Sequence, residues 1–427
     1  MNADPATNAA PGPTPTRRLN VADDGLPAPG AKVLVAMSGG VDSSVAAALL
    51  ARRGCRVVGV FMRLGAEHET RPVDLFNADA ADAAGLNDDC PINARGPAPV
   101  DASPAPDAKP GHTGCCSTSD AADARLVAAL LDVPFYVLNF RKEFGRVIDY
   151  FVAEYNAGRT PNPCVRCNDW IKFGRLARYA ADIDADFIAT GHYARVDHAA
   201  ATPRLLRGVD HRKDQSYVLF GTPLDQLRHM VLPIGGLAKA DVRGLAEELG
   251  LPVFDKPDSQ EICFVPDNDY AGLVQRRSPE AVRPGAILDT AGHVVGEHAG
   301  HQHFTIGQRR GVGVALGHKL YVVGKDAAAN TITVGPPELL QCHGLAASQT
   351  NWLVDPPTRE TPCLVKVRYN ADPVPARVLA TGPDTLEVEF GSPHSAVTPG
   401  QAVVCYGRPG TPWEEAVLGG GWIDRAT

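Results

Sequence analysis

A chain of 427 residues is too long for one ordinary hydrophobic core and implies two or three domains. Its 44% hydrophobic and 21% charged residues exclude a disordered protein, and no apolar run approaches the roughly 20 residues that cross a bilayer. The net charge of −8 does not announce a nucleic-acid protein, but residues 65–112 alone hold nine acids against Arg71, Arg95 and Lys109. The remainder is near neutral and free to carry a basic face.

Residues 1–30 carry Arg17 and Arg18 but no apolar stretch after them, and read as a disordered tail, not a signal peptide. With no export signal the expected compartment is the cytoplasm. In that reducing setting, cysteines in short-range pairs are redox, sulfur-carrying or metal-binding more often than structural. Order is expected from Ala31. Lys32–Met37 is an apolar run of strand length, Ser38–Ser44 a glycine-rich turn, and an Ala/Leu-rich helix follows to about Arg53. Arg56–Met62 is a second buried strand. Residues 65–112 lack periodicity and read as a disordered acidic insertion. Then come a helix Ser119–Leu131 with Ser119 as N-cap, a strand Phe135–Asn139, helices Arg141–Asn156 and Asp169–Ala181, and a strand Asp186–Ala189. Strands alternating with helices predict an α/β domain with a parallel sheet over 31–221. Residues 222–340 form a small mixed central domain, with a helical pattern from Pro223 to Leu249 and β signals from Pro284. Residues 341–427 read as a β-barrel, with strands Cys363–Arg368, Thr385–Phe390 and Ala402–Tyr406.

Ser38-Gly39-Gly40-Val41-Asp42-Ser43-Ser44 lies between a strand and a helix. Its glycines let backbone N–H groups approach a phosphate, the helix N-terminus adds positive dipole, and the serines add hydroxyl donors. The Gly-Lys-Ser/Thr of a Walker loop is missing. In this setting SGGxDS resembles the pyrophosphate-binding loop of ATP pyrophosphatases, the PP-loop. Met62 ends the second strand and is a candidate adenine contact, with a core methionine the competing reading. Gly191 follows the fourth strand, where it is a candidate to admit the ribose or adenine, and His192 comes next. A lone histidine there is usually structural. Thr160–Asn168 places Cys164 and Cys167 in a CxxC before a helix, where a helix N-terminus lowers a thiol pKa. Cys263 lies about a hundred residues on. His298, His301 and His303 read as part of a β segment, with metal binding the lesser option. Cys115 and Cys116 read as packing residues, and Cys55, Cys342, Cys363 and Cys405 as core.

SGGVDSS, Gly-Cys-Cys near 115, TPNPCVRCN, ATGHYAR, Lys213-Asp-Gln-Ser-Tyr217, DSQEICF at 258–264 and Thr305–Gly311 occur in the order seen in bacterial tRNA-specific 2-thiouridylases. The resemblance runs from about 31 to 406 without the insertion. It implies an ATP site of Ala36, Met37, Ser38, Gly39, Gly40, Val41, Asp42, Ser43, Met62 and Gly191. It implies Cys167 as catalytic nucleophile and Cys263 as the persulfide carrier, the two forming a disulfide as sulfur is released. His192, Lys213, Asp214 and Gln215, with Arg368, Tyr369 and Gln401 on the barrel, fall where the family touches tRNA through its anticodon arm. ATP with Mg²⁺ would activate C2 of the wobble uridine, pyrophosphate leaving first and AMP second. A cysteine desulfurase or relay protein would supply sulfur to a monomer with no membrane attachment.

Cys164 stands where many family members carry an acid. Three converging thiols, Cys164, Cys167 and Cys263, would suit a [4Fe–4S] cluster with one open iron, making Cys167 and Cys263 ligands. Two other readings remain at this point. Amide-forming synthetases use the same loop without cysteines, and an RNA-binding protein could keep it as an inert relic.

Overall fold

The alternation of apolar runs and helices is realised as a parallel sheet in a computed structural model describing residues 25–65, 117–258, 262–265, 267–314 and 317–427. β1 (Lys32–Ala36) buries Val33, Leu34 and Val35 completely, as a central strand covered on both faces must. It feeds α1 (Val41–Arg52), and β2 (Arg56–Arg63) returns parallel to β1 with Ala36 opposite Val60. α2 (Thr118–Leu130), β3 (Phe135–Asn139) and α3 (Arg141–Asn156) follow. Next come α4 (Pro163–Cys167), a π-helix (Asn168–Arg175) and α5 (Leu176–Asp182), and then β4 (Phe187–Ala189). β5 (Ala194–Asp197) and β6 (Arg204–Arg207) make a hairpin outside the main sheet.

The region expected to be helical from 223 to 249 is instead broken. α6 (Leu224–Leu227) is one turn, β7 (Met230–Val231) joins the sheet, and α7 (Lys239–Glu248) starts afresh. Ile188 N donates to His229 O at 2.8 Å, and Thr190 N to Val231 O at 3.2 Å. Pro233 and Gly235 then stop any helix. A Cβ on Gly235 would run into the Ala194 carbonyl oxygen. The sheet order is β3-β2-β1-β4-β7. Successive strands add to one side of β1 and then to the other, so the order reverses between β1 and β4. In open parallel sheets, ligands bind beyond the carboxyl ends of the strands at such a reversal.

Two expectations change at element ends. α2 is capped by Ser117, not Ser119. The Ser117 Oγ accepts from Asp120 N at 3.1 Å, and Asp120 Oδ2 accepts from Ser117 N at 3.1 Å, a reciprocal box that fixes the start earlier. The last residues of the expected tail are also ordered. Gly30 N donates to Gly54 O at 2.8 Å, and Arg53 Nε to Pro27 O at 2.7 Å. Residues 1–24 and 66–116, with the rest of the tail, the insertion, Cys115 and Cys116, lie outside the described residues.

After α8 (Tyr270–Arg277), a mixed sheet is built from β8 (Gly285–Leu288), β9 (Val294–His298), β10 (Tyr321–Asp326) and β11 (Thr331–Gly335). Ile287, Val322, Ile332 and Val334 close its small core. β12 (Gln341–Trp352), β13 (Thr361–Lys366), β14 (Val374–Gly382), β15 (Thr385–Ser395), β16 (Ala402–Tyr406) and β17 (Val417–Ala426) then close a six-stranded barrel. Closure removes exposed strand edges. Among the described residues no helix is long and apolar enough to cross a membrane.

Candidate active site

The glycine-rich turn sits on the carboxyl end of β1, at the reversal of strand order. Ala36, Met37 and Val41 are buried and hold it from beneath. Gly39 has φ +75°, and a Cβ there would run into the Asp120 carbonyl oxygen, so α2 packs directly on the loop backbone. Ser43 Oγ accepts from Ser38 N at 3.1 Å and lies 3.2 Å from Ser38 Oγ, while Ser44 Oγ donates to Gly40 O at 2.8 Å. No side chain caps α1, whose N-cap is Gly40, so its first N–H groups keep no side-chain acceptor. Gly191, past the end of β4, lies against this loop. A Cβ there would stand 2.6 Å from Ser43 N and 2.7 Å from Asp42 C. Met62 stands two positions beyond the Ala36–Val60 pair, half-buried, on the strand that overhangs the loop. The loop and Gly191 are thus in direct contact, with Met62 further along the neighbouring strand.

Residues outside the motif complete the loop. Asp42 Oδ1 accepts from Tyr193 OH and from Lys239 Nζ, each at 2.7 Å. Burial first, and Asp42 second, push the Tyr193 hydroxyl far above its ordinary pKa, so it donates and does not ionise. Lys256 Nζ bonds to Gly39 O at 3.0 Å and to Asp120 and Asp123 at 2.6 Å. Asp258 meets Lys213, Lys239 and Arg243, each at 2.8 Å. Burial pushes the Asp258 carboxyl up, but the bonds from Lys213 and Lys239 outweigh it and hold the group at about 2. Tyr193 and Asp258 fall within motifs already singled out, whereas Lys239 and Lys256 are isolated lysines that only the fold brings here.

The cysteine segment differs from expectation. Asn162 caps α4 through Val165 N, with Pro163 at its first position, so the helix starts before the CxxC. Cys164 is exposed in its first turn, while Cys167 is half-buried at its last residue, where the π-helix begins. Cys263 is also half-buried, and packs against the same apolar cluster as Cys167. Rare π-turns often mark functional sites. Gly174 permits this one, since a Cβ there would stand 2.6 Å from Asp169 O. Between the cysteines, Arg166 stacks on Trp422 of β17 at 3.9 Å and on Tyr150 and Trp170, and donates to Gln349 Oε1 at 2.6 Å. The helix bearing Cys167 is therefore clamped to the barrel.

Asp169, two residues past Cys167, has a covered Oδ1 with no hydrogen-bond partner. Burial, partly offset by Arg166, raises its carboxyl to about 7. A carboxyl with a raised folded pKa costs stability as pH climbs from about 4 to about 7, because only the unfolded chain then loses the proton. Asp169→Asn is accordingly expected to stabilise the protein by roughly 2–4 kcal/mol at pH 8 and to change little at pH 4. Denaturant melts at the two pH values check this.

The candidate tRNA residues divide into two kinds. Arg368 and Tyr369 are exposed on the barrel, and the Tyr369 ring lies 6.2 Å from that of Tyr217 with Lys366 Nζ 5.8 Å from its centre. The others are engaged within the protein. Asp214 is buried and accepts from Gly208 N, Ser216 N and Ser216 Oγ, each at 3.0 Å. Gln215 Oε1 accepts from Tyr193 N at 2.9 Å, and Lys213 is paired with Asp258. Gln401 Nε2 donates to Thr160 O at 3.2 Å and Pro161 O at 3.0 Å, docking the cysteine segment on the barrel. His192 is buried, 2.6 Å from Thr190 Oγ1 and 3.3 Å from Lys172 Nζ. Burial and Lys172 keep it neutral.

Neither candidate metal group finds a ligand set. Among the described residues no three Cys, His, Asp or Glu side chains gather as a metal site. Cys164, Cys167 and Cys263 form no three-residue ligand group among the described residues, so no step is assigned to a [4Fe–4S] cluster. His298 and His301 are buried, and burial lowers both, His301 to about 4. Cys55, Cys342, Cys363 and Cys405 are core, as expected.

Three family models cover the ordered units. The tRNA methyl transferase HUP domain matches residues 31–93 and 102–267, the PRC-barrel domain of the same name 273–336, and the aminomethyltransferase beta-barrel domain 342–423. A U34-tRNA thiolase from Methanococcus maripaludis, solved with its [4Fe–4S] cluster, is 17% identical with a TM-score of 0.32, covering 60% of this chain and 68% of its own. That likeness is too low to bear on the cysteines here. The tRNA-specific 2-thiouridylase MnmA of Rhodopirellula baltica is 46% identical over 405 residues, 92% of this chain and 96% of its own. That of Geotalea uraniireducens is 44% identical over 397 residues, 92% and 95%. With its PP-loop, its paired cysteines and its barrel all inside those matches, this chain belongs to the tRNA-specific 2-thiouridylase family.

Proposed function

We propose that this protein is a tRNA-uridine 2-sulfurtransferase that consumes ATP and draws its sulfur from a cysteine persulfide. The observation that carries the reading is the docking of the CxxC helix onto the barrel by Arg166 and Gln401, beside a PP-loop site. An ATP pyrophosphatase making amides needs neither the thiols nor that clamp.

In this reading the uridine C2 oxygen attacks the α-phosphorus of ATP, the α–β bond breaks, and pyrophosphate leaves. The N–H groups at the start of α1 stabilise the charge that develops on the phosphates. Mg²⁺ bound with the nucleotide would supply further neutralisation, and Asp42 and Ser38 are the loop side chains that would hold it. The terminal sulfur of a Cys263 persulfide then bonds to C2, and AMP leaves with the oxygen. Cys167 thiolate attacks Cys263 Sγ and the S–S bond to the transferred sulfur breaks. A Cys167–Cys263 disulfide forms, while that sulfur stays on C2 as the thiocarbonyl. A thiol reductant restores the pair.

Arg368 and Tyr369 are exposed on the barrel that holds the CxxC helix and suit the approach of a base turned out of its stack. The wobble uridine within the anticodon arm, a cysteine desulfurase or relay as donor, a cytoplasmic setting and a monomer complete the proposal. So do unit boundaries near 221 and 340. Pyrophosphate release measured with tRNA, and separately with glutamine or ammonia, tests it. Stimulation by tRNA alone is expected, and stimulation by the nitrogen donors would reject it.

A further inference from the structure

The loop Ser38–Ser44 contains no basic residue, although the reading above asks it to hold a polyphosphate. Two lysines from outside reach it, and their surroundings differ. Lys256 is shared by Asp120 and Asp123 and bonds to Gly39 O, so moving it would strand two acids and undo the packing of α2 on the loop. Lys239 is in the opposite situation. Asp258, its partner at 2.8 Å, keeps Lys213 and Arg243 when Lys239 leaves. Three cations, Lys213, Lys239 and Arg243, face Asp42 and Asp258 at this corner of the loop, and a third acid, Asp210, accepts from Lys239 N at 3.1 Å, so the formal charges balance there. Lys239 is also held over the Tyr193 ring at 5.6 Å with its side chain 12% exposed, so it meets a ligand with little rotamer freedom left to lose.

We propose that Lys239 is the phosphate-binding cation of this site, exchanging its ion pair with Asp258 for the β- or γ-phosphate oxygens of ATP while remaining beside Asp42. The assignment rests on the ATP reading and adds to it the lysine that the loop lacks. It also leaves Lys213 on Asp258 when nucleotide is bound.

Calorimetric titration of the full chain with α,β-methylene-ATP and with AMP tests the assignment. Lys239→Ala is expected to weaken the triphosphate analogue about ten- to hundredfold and to leave AMP unchanged. Lys239→Arg should restore most of the loss. Asp258→Asn removes the competitor for Lys239, so the analogue should bind as tightly as before or tighter. A structural role predicts otherwise, with Asp258→Asn copying Lys239→Ala and AMP weakening in parallel, and either result overturns the assignment. So does analogue binding by Lys239→Ala equal to that of the unaltered protein. Failure of the unaltered protein to bind either nucleotide overturns the ATP reading itself and the assignment with it.

Discussion

Cys167→Ser is expected to lower 2-thiouridine formation by about three orders of magnitude or more, the usual cost of losing a covalent catalyst. A serine hydroxyl is too weak a nucleophile to attack the Cys263 disulfide bond. The reaction should then halt after sulfur has bonded to C2, leaving tRNA attached to the protein through a link that dithiothreitol cleaves. Cys263→Ser should fall as far without forming that adduct, because it cannot hold the sulfur. The double substitution should be no worse than either alone, since the two thiols act in one sequence. Cys164→Ser should keep activity within several-fold of the unaltered protein, because Cys164 is exposed and no three-residue ligand group forms among the described residues. Adduct on denaturing gels and 2-thiouridine by nucleoside mass spectrometry are the readouts. Equal collapse of all three variants would return the three-thiol reading.

Gly39→Ala should be damaging by another route. The left-handed φ of +75° strains any residue with a Cβ, at about 1–3 kcal/mol. The Cβ would also push against the Asp120 carbonyl, displacing the start of α2 and with it the contact of Lys256 on Gly39 O. A lower denaturant midpoint and ATP binding weakened by at least about tenfold are expected together. Gly40→Ala is the control. Its φ of −97° is ordinary, and a Cβ would meet only Ser38 Oγ at 3.6 Å, so the midpoint should move by no more than about 1 kcal/mol. If the two variants behave alike, the close packing of α2 on the loop is not what shapes it.

The sequence shows the sheet strands well, because residues 33–36 and 57–62 are continuous runs without a polar side chain, the mark of strands buried on both faces. β7 was hidden, since two residues carry no periodicity and Met230-Val231 lie inside a plausible helical pattern. The PP-loop, Gly191 and the cysteines are legible because their chemistry needs particular residue types at short spacings. The charge network behind them is not. Lys239, Lys256 and Asp258 come together from separate turns, and a lysine in isolation looks like any solvated lysine. Motif matching also hides the difference between a residue that meets a ligand and one that supports it. Asp214 and Gln401 lie in motifs that match tRNA-contacting positions, yet their side chains bond to backbone groups of this chain. The π-helix after Cys167 had no signal beyond Gly174, because a helical pattern does not distinguish the wider turn.

The most direct test is to incubate the protein with unmodified tRNA, ATP, cysteine and a cysteine desulfurase, and to quantify 2-thiouridine with iron measured in the same sample. The persulfide route predicts 2-thiouridine that requires ATP, appears with AMP and pyrophosphate in equal amounts, and forms in protein holding little or no iron. ATP cleavage without 2-thiouridine, or 2-thiouridine only in protein carrying about four irons per chain, would contradict it.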